Sequence, residues 1–236
     1  DPIPVFIERN VDKQSQSIEA VLEYPDYNFK YRIKAFPNGG SLTIQLLLDD
    51  PLPAVLEGRA GFNMEFLPSA YFEKTFTMDD QVHAFPVYAA GGTQKVAPTN
   101  LQMTSTKPLP LAEGRQLLLS PENPETRVKI TSDAGNIELY DGRNKAQNGW
   151  IVARTLIPAN KTGVVVEWTL EANSIKEWER KPMIAHSQVG YHPNQEKVAV
   201  IELDRNSKVR AKASLYRVDD GLEERVLRKR VESWGQ

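Results

Sequence analysis

The chain has 236 residues, of which 40% are hydrophobic and 25% are charged, and this composition is typical of a folded globular protein rather than of a disordered or membrane-spanning chain. The formal net charge of −2 lacks the basic excess expected of a nucleic-acid-binding surface. The absence of cysteine excludes disulfides, thiolate metal sites and cysteine nucleophiles. The length allows one large β domain or two smaller ones.

The hydrophobic pattern in chain order is that of β-strands. Phe29, Tyr31 and Ile33 alternate with lysine and arginine, which predicts one apolar and one charged face. The same alternation returns in 42–48 after the turn residues 37–40, so a hairpin is predicted there. Further strands are predicted at 18–24, 116–119, 127–131, 136–140, 150–157 and 163–170.

These short runs are bounded by Gly, Pro, Asn and Asp, which indicates an all-β fold, an antiparallel β-sandwich. The sequence predicts one short helical turn at 174–180, with Trp178 facing inward. Two stretches, 51–69 and 77–110, do not follow the strand pattern and are predicted to be long ordered loops at an interface or binding face. A charged run ending in a proline, 179–182, predicts a boundary between a domain at 1–180 and a second at 183–236.

No residue set predicts catalysis, a cofactor or a metal. The three histidines, His83, His186 and His192, lack the short spacing of a paired metal site and are interpreted as surface residues. Adjacent acidic pairs point to opposite faces of an extended chain. They are therefore interpreted as turn or solvated surface residues, with a calcium site at Asp79 and Asp80 as the minority alternative.

Aromatic residues allow two interpretations. Aromatic rings can pack a core or stack on the apolar faces of sugars. Because Phe29, Tyr31 and Trp168 occupy apolar positions of alternating strands, core packing is favoured over a sugar-binding platform. The aromatic residues considered are Tyr24, Tyr27, Phe29 and Tyr31, together with Trp150, Trp168, Trp178 and Trp234.

Residues 187–201 carry the most specific motif. Gln188, Gly190, Tyr191, Pro193 and Lys197 form a Gln-x-Gly-Tyr-x-Pro turn followed by a lysine and small apolar residues. This pattern resembles the opening of the immunoglobulin-like module that precedes the catalytic domain in glycoside hydrolase family 9. The series 60–69, 72–79, 138–143 and 146–150 is similar to the extra β domain found ahead of that module in Bacteroides-type enzymes.

The resemblance implies a non-catalytic N-terminal scaffold of a secreted or periplasmic β-glucanase. Its inverting catalytic machinery would lie on a helical barrel outside this sequence. The Asp-Ala-Gly-Asp motif of that barrel is absent, because 133–136 ends in Asn136, and these four residues are interpreted as a hairpin turn. Residues 183–236 would form the first part of an immunoglobulin-like sandwich, since a complete one needs roughly 100 residues.

The implied partners are a downstream catalytic domain of the same polypeptide and a polysaccharide. Nucleic acid and a membrane span are not predicted, and no cofactor is. Self-association through the incomplete module is a further expectation, because its strands would leave unpaired edges. The alternative function is an independent glycan-binding module. The candidate domain-interface residues are Phe62, Asn63, Glu65, Phe66, Gln188 and Tyr191.

Overall fold

The computed structural model describes residues 3–89, 91–96, 105–144, 149–208 and 211–234. They form two compact units, 1–174 and 175–236, whereas the sequence placed the boundary at 179–182. The strands pair antiparallel throughout the described ranges. The predicted all-β antiparallel sandwich is therefore confirmed.

The first unit consists of short strands joined by turns and 3-10 segments. Its strands are β1 (Val5–Asp12), β2 (Ser17–Tyr24), β3 (Phe29–Asn38), β4 (Ser41–Leu48), β5 (Gly61–Phe66), β6 (Thr75–Met78), β7 (Gln81–Ala84), β8 (Thr93–Val96), β9 (Ser105–Pro108), β10 (Ala112–Gly114), β11 (Gln116–Leu119), β12 (Val128–Ser132), β13 (Ile137–Asp141), β14 (Ile151–Leu156) and β15 (Gly163–Ala172).

Two sheets of unequal width contribute to one core. The large sheet has nine strands in the order β1-β2-β3-β4-β15-β12-β11-β6-β7, and the small sheet has four in the order β10-β13-β14-β5. Strands β8 and β9 pair only with each other among the described residues. Since each strand alternates its side chains between two faces, the inner faces of both sheets supply the same apolar cluster.

Trp168 lies at the centre of this cluster. Its side chain is 0% exposed, and on the large sheet it lies opposite Ile44 and Ser132. From the small sheet, Phe62 packs edge-on at 4.9 Å between ring centroids, and the Thr155 hydroxyl accepts a hydrogen bond from the indole Nε1 at 2.9 Å. One side chain thus joins the two layers by packing and by a buried hydrogen bond.

The outer face of the large sheet is charged, as the alternation in β3 predicts. Arg32 contacts Asp49 at 2.6 Å, and Lys129 contacts Glu171 at 2.9 Å. Such exposed pairs add at most about 1 kcal/mol each. The sandwich is therefore stabilised mainly by its inner faces.

Two turns have different roles. Asn38 pairs with Ser41 across Gly39 and Gly40, which confirms the predicted β3–β4 hairpin. The hairpin interpretation of 133–136 is wrong, because β12 and β13 belong to different sheets. These residues link the two layers instead, and Gly135 allows the sharp change of direction with a φ of +83°.

Residues 51–69 contain a strand, so the loop prediction there is wrong for 61–66. In β5, Phe62 and Phe66 point inward while Asn63 and Glu65 point to solvent. Pairing with β14 satisfies the backbone groups on one side of this edge strand. The alternation was present in the sequence but was hidden by the flanking prolines and glycines. Strands β6 to β9 likewise correct the loop prediction at 77–78, 81–84, 93–96 and 105–108, whereas 90 and 97–104 lie outside the described residues.

Gly114 allows the close contact between β10 and the β6–β7 turn. A Cβ at this position would lie 2.5 Å from Asp79 Oδ2 and 2.8 Å from Met78 Cγ. We therefore expect Gly114→Ala to lower the free energy of unfolding by about 1–3 kcal/mol. Gly40→Ala is the matched control, because a Cβ there has no heavy atom within 4 Å. Equal urea midpoints for the two variants would contradict this assignment.

The second unit contains two separate hairpins. Its strands are β16 (Met183–His186), β17 (Ala199–Glu202), β18 (Lys212–Asp219) and β19 (Leu222–Arg230); β16 pairs with β17 and β18 with β19. Arg180 belongs to this unit, since its backbone N–H donates to Asp204 and its guanidinium contacts Glu202.

The helical turn predicted at 174–180 is a simple turn. A single bond joins the Trp178 N–H to the Ile175 carbonyl, and Trp178 is 44% exposed rather than inward-facing. No α-helix follows in the described residues beyond this turn, because the charged residues there form no apolar stripe. Across the part of the chain that the structure describes, no helix has the length and apolar character needed to cross a bilayer.

Candidate functional site

An open groove of about 530 Å³ lies between the edge strand β10 and the β6–β7 hairpin. It is therefore formed where the margin of the small sheet meets the end of the large one. The lining side chains are mainly polar or ionisable: Met78, Asp79, Asp80, Gln81, His83, Ala112 and Glu113. This volume falls in the range of small-molecule sites, about 300–1,000 Å³.

Asp79 lies in the turn between β6 and β7 and lines the groove there. Its Oδ1 accepts hydrogen bonds from the backbone N–H groups of Arg115 and Gln116, both at 2.9 Å. Its φ of +52° is tolerated because Asp adopts the left-handed region more readily than most residues. Among the residues the structure describes, no three acidic or histidine side chains are arranged to hold a metal ion.

The remaining polar groups of the groove face solvent. Asp80, Gln81 and Glu113 are exposed, and His83 is half-buried. The His83 ring stacks on Phe76 with 4.9 Å between centroids and 14° between planes. The imidazole is thereby held in one orientation at the wall of the groove.

A row of polar side chains continues from the groove across the outer face of the small sheet. Glu113 pairs with Glu138, Glu138 with Arg154, and Arg154 with Asn63. The Arg154 Nε donates to Asn63 Oδ1 at 2.8 Å, and the Asn136 amide donates to Glu113 Oε1 at 2.7 Å. We call Glu113, Glu138, Arg154 and Asn63 the polar row.

Tyr140 lies beside the polar row. Its hydroxyl donates to Glu138 Oε2 at 2.7 Å, and the Arg154 guanidinium carbon lies 5.6 Å from its ring centroid. Burial, and then the hydrogen bond to Glu138, raises the pKa of Tyr140 to about 12. The neutral phenol therefore persists well above the usual tyrosine pKa of about 10.

The raised pKa predicts a loss of stability at high pH. Above about pH 10 the unfolded chain releases the Tyr140 proton while the folded chain retains it up to about 12. The unfolded state then binds fewer protons, so the free energy of unfolding falls as the pH rises through this window. We expect Tyr140→Phe to show a smaller fall in urea midpoint between pH 10 and 12.

The exposed Tyr88, with 83% of its surface accessible, offers Tyr88→Phe as the control for removing a tyrosine hydroxyl. An equally steep fall for the wild type and Tyr140→Phe would contradict the prediction.

A buried ion pair anchors the segment that follows β7. Strand β7 itself forms one wall of the groove. Asp141 is 0% exposed and accepts from Arg143 Nε at 2.9 Å and Nη2 at 2.8 Å. The same guanidinium donates to the carbonyls of Pro86 and Val87, both at 2.7 Å. It also lies 5.2 Å from the ring centroid of Phe72. The ion pair therefore ties β13 to the 85–87 segment.

The structure separates the predicted interface residues into three groups. Phe62 and Phe66 pack into the core against Trp168 and Tyr71. Asn63 and Glu65 are exposed on the outer face of the small sheet. Gln188 is an exposed loop residue of the second unit. Only the exposed members are available to contact another domain.

Tyr191 belongs to a loop that is closed by its own hydrogen bonds. Its hydroxyl accepts from the Ser187 N–H at 3.1 Å and donates to the Val198 carbonyl. The Lys197 ammonium donates to two loop carbonyls, each 2.9 Å away. Gly190 has a φ of +89°, which side-chain-bearing residues rarely adopt. The motif residues thus fold the loop that leads into β17.

Core packing accounts for Trp168 and for the aromatic cluster at 24–31, but not for the other tryptophans. Phe29 is buried, and the rings of Tyr24 and Tyr31 stack at 5.6 Å while packing on the core. Trp150 and Trp234 are exposed. Among the described residues, no flat row of exposed aromatic rings is formed by Tyr24, Phe29 and Tyr31.

The sequence interpretation did not single out Gln81, Glu138, Tyr140 or Arg154 as site residues. The alternation in β13 and β14 places Glu138 and Arg154 on an outer face. It does not reveal which strands are neighbours, and their pairing assembles the row.

Comparison with known proteins gave no relative. Neither a scan against protein-family models nor searches of curated proteins and solved structures found a match to this chain.

Proposed function

We propose that this chain is a non-catalytic β region of a secreted or periplasmic glycoside hydrolase of the family 9 type, which supports a catalytic domain of the same polypeptide. The observation that supports this proposal is the loop at 187–198. The motif residues Tyr191 and Lys197 use their polar groups within the loop, as expected of a structural module rather than of a reaction centre.

The scaffold proposal predicts that exposed residues of this chain contact the catalytic domain. Glu65 and Gln188 are both exposed here, so replacing them should leave the stability of the chain itself unchanged. In the longer enzyme, we expect Glu65→Ala/Gln188→Ala to lower the thermal midpoint of the catalytic domain. If the double variant leaves the thermal midpoint of the catalytic domain unchanged as well, the assigned contact surface is contradicted.

A second candidate is a glycan-binding module, and the groove with its polar row favours it. Fixed polar side chains on an exposed face are suited to hydrogen-bonding a hydroxyl-rich ligand. A supporting region can also hold the polymer, so the two functions are compatible.

Calorimetric titration of the chain with cellohexaose and a xyloglucan oligosaccharide tests the second candidate. Saturable binding without hydrolysis supports glycan binding by a non-catalytic region. Absence of binding would rule out glycan binding and leave the scaffold function as the one proposal that stands. Hydrolysis by the chain itself would contradict both proposals.

A further inference from the structure

We infer that the groove and the polar row form one continuous recognition site for a neutral oligosaccharide. The inference rests on the glycan-binding candidate and assigns its site and its ligand class. Glu113 joins the two parts, because it lines the groove and also begins the row at the edge strand β10.

The side chains of the row are held in position before any ligand arrives. Arg154 is fixed by Asn63 and by the ring of Tyr140, and Glu138 is fixed by the Tyr140 hydroxyl. Such preorganisation reduces the conformational entropy that binding would otherwise remove. The planar guanidinium and carboxylates present donors and acceptors side by side. A sugar hydroxyl needs both, since it donates and accepts at once.

The charges of the site argue against an anionic ligand. Arg154 is the one cation of the row, whereas Glu113 and Glu138 are anions. The groove adds Asp79 and Asp80. The resulting negative potential repels uronic-acid or phosphorylated polymers, while uncharged hydroxyls can still hydrogen-bond to the carboxylates.

The dimensions indicate a polymer segment rather than a single sugar. The polar row crosses four neighbouring strands, and three spacings between strands amount to about 14 Å. The groove is open to solvent at the end of this row. A chain lying along the row can therefore enter the groove without having to terminate there.

The test is calorimetric titration of the whole chain with cellohexaose, using two substitutions in the site. Glu138→Gln keeps the side-chain shape but removes the negative charge, and Gln81→Ala removes an exposed groove amide. We expect each to weaken cellohexaose binding about tenfold, equivalent to about 1.4 kcal/mol. The matched control, Glu171→Gln, lies on the outer face of the large sheet, with its side chain 51% exposed, and should leave binding unchanged.

The outcomes separate this inference from the function on which it rests. If the wild-type chain binds cellohexaose and all three variants bind equally well, the site lies elsewhere and the inference is overturned while glycan binding stands. If the wild-type chain binds neither cellohexaose nor a xyloglucan oligosaccharide, glycan binding fails, and the inference fails with it. Tighter binding of an oligogalacturonide than of cellohexaose would overturn the assignment to a neutral ligand. Circular dichroism checks that Gln81→Ala keeps the native fold, which is expected because the Gln81 side chain is exposed.

Discussion

Trp168→Ala is expected to lower the free energy of unfolding by about 3–5 kcal/mol, the usual cost of truncating a buried aromatic side chain. The residue is 0% exposed, and it links the layers through Phe62 and Thr155. Removing the indole leaves a cavity between the sheets. The Thr155 hydroxyl also loses the hydrogen bond that it accepts from the indole, although it still donates to the Asn136 carbonyl. Urea unfolding followed by circular dichroism measures the effect.

Trp234→Ala is the matched control, because this indole is 81% exposed. It should change the free energy of unfolding by no more than about 0.5 kcal/mol. Trp168→Phe separates packing from hydrogen bonding, since it retains an aromatic ring but removes the Nε1 donor. A loss for Trp168→Ala as small as that of the control would show that the two sheets are not joined through this residue.

Asp141→Ala is expected to destabilise the first unit by about 3–5 kcal/mol, because it leaves the Arg143 guanidinium without its anion in a largely buried site. The Asp141 carboxylate is 0% exposed, and the Arg143 side chain is 14% exposed. The hydrogen bonds to Asp141 raise the pKa of the guanidinium. The variant lacks these hydrogen bonds, but any arginine keeps its proton at accessible pH, so deprotonation cannot relieve the unpaired charge.

The exposed pair Arg217–Glu224 provides the control. Its side chains are 66% and 65% exposed, so Glu224→Gln should cost at most about 1 kcal/mol. A double-mutant cycle of Asp141→Ala with Arg143→Met then isolates the buried pair, and the double variant should recover part of the loss. Losses of equal size for Asp141→Ala and Glu224→Gln would contradict a structural role for the buried pair.

The sequence predicted the fold more completely than it predicted the candidate site. Glu113, Glu138 and Arg154 lie far apart in the chain and become neighbours only through the order β10-β13-β14-β5. A period of two reports which face a side chain occupies, but it carries no information about the adjacent strand. The polar row therefore had no signature that a single sequence could display.

Interruptions by turn residues concealed other elements. The prolines and glycines of 51–69 suggested a loop, although Phe62 and Phe66 alternate with polar residues as in any half-buried strand. Likewise, Gly135 and Asn136 suggested a hairpin where the chain crosses between sheets. Turn residues indicate that the direction changes, and only the packing of both layers decides where the chain goes next.

The sequence by itself determined the all-β class, the apolar faces of β3, β4 and β15, and the burial of Trp168. These follow from local alternation, because a strand must bury its apolar side whatever its partner. The tertiary structure alone decided that the Arg143 guanidinium, which pairs with Asp141, also donates to the carbonyls of Pro86 and Val87. It also decided that the groove opens at β10 and that Asn63 joins Arg154. These features depend on contacts between distant strands, which form only when both sheets contribute to one core.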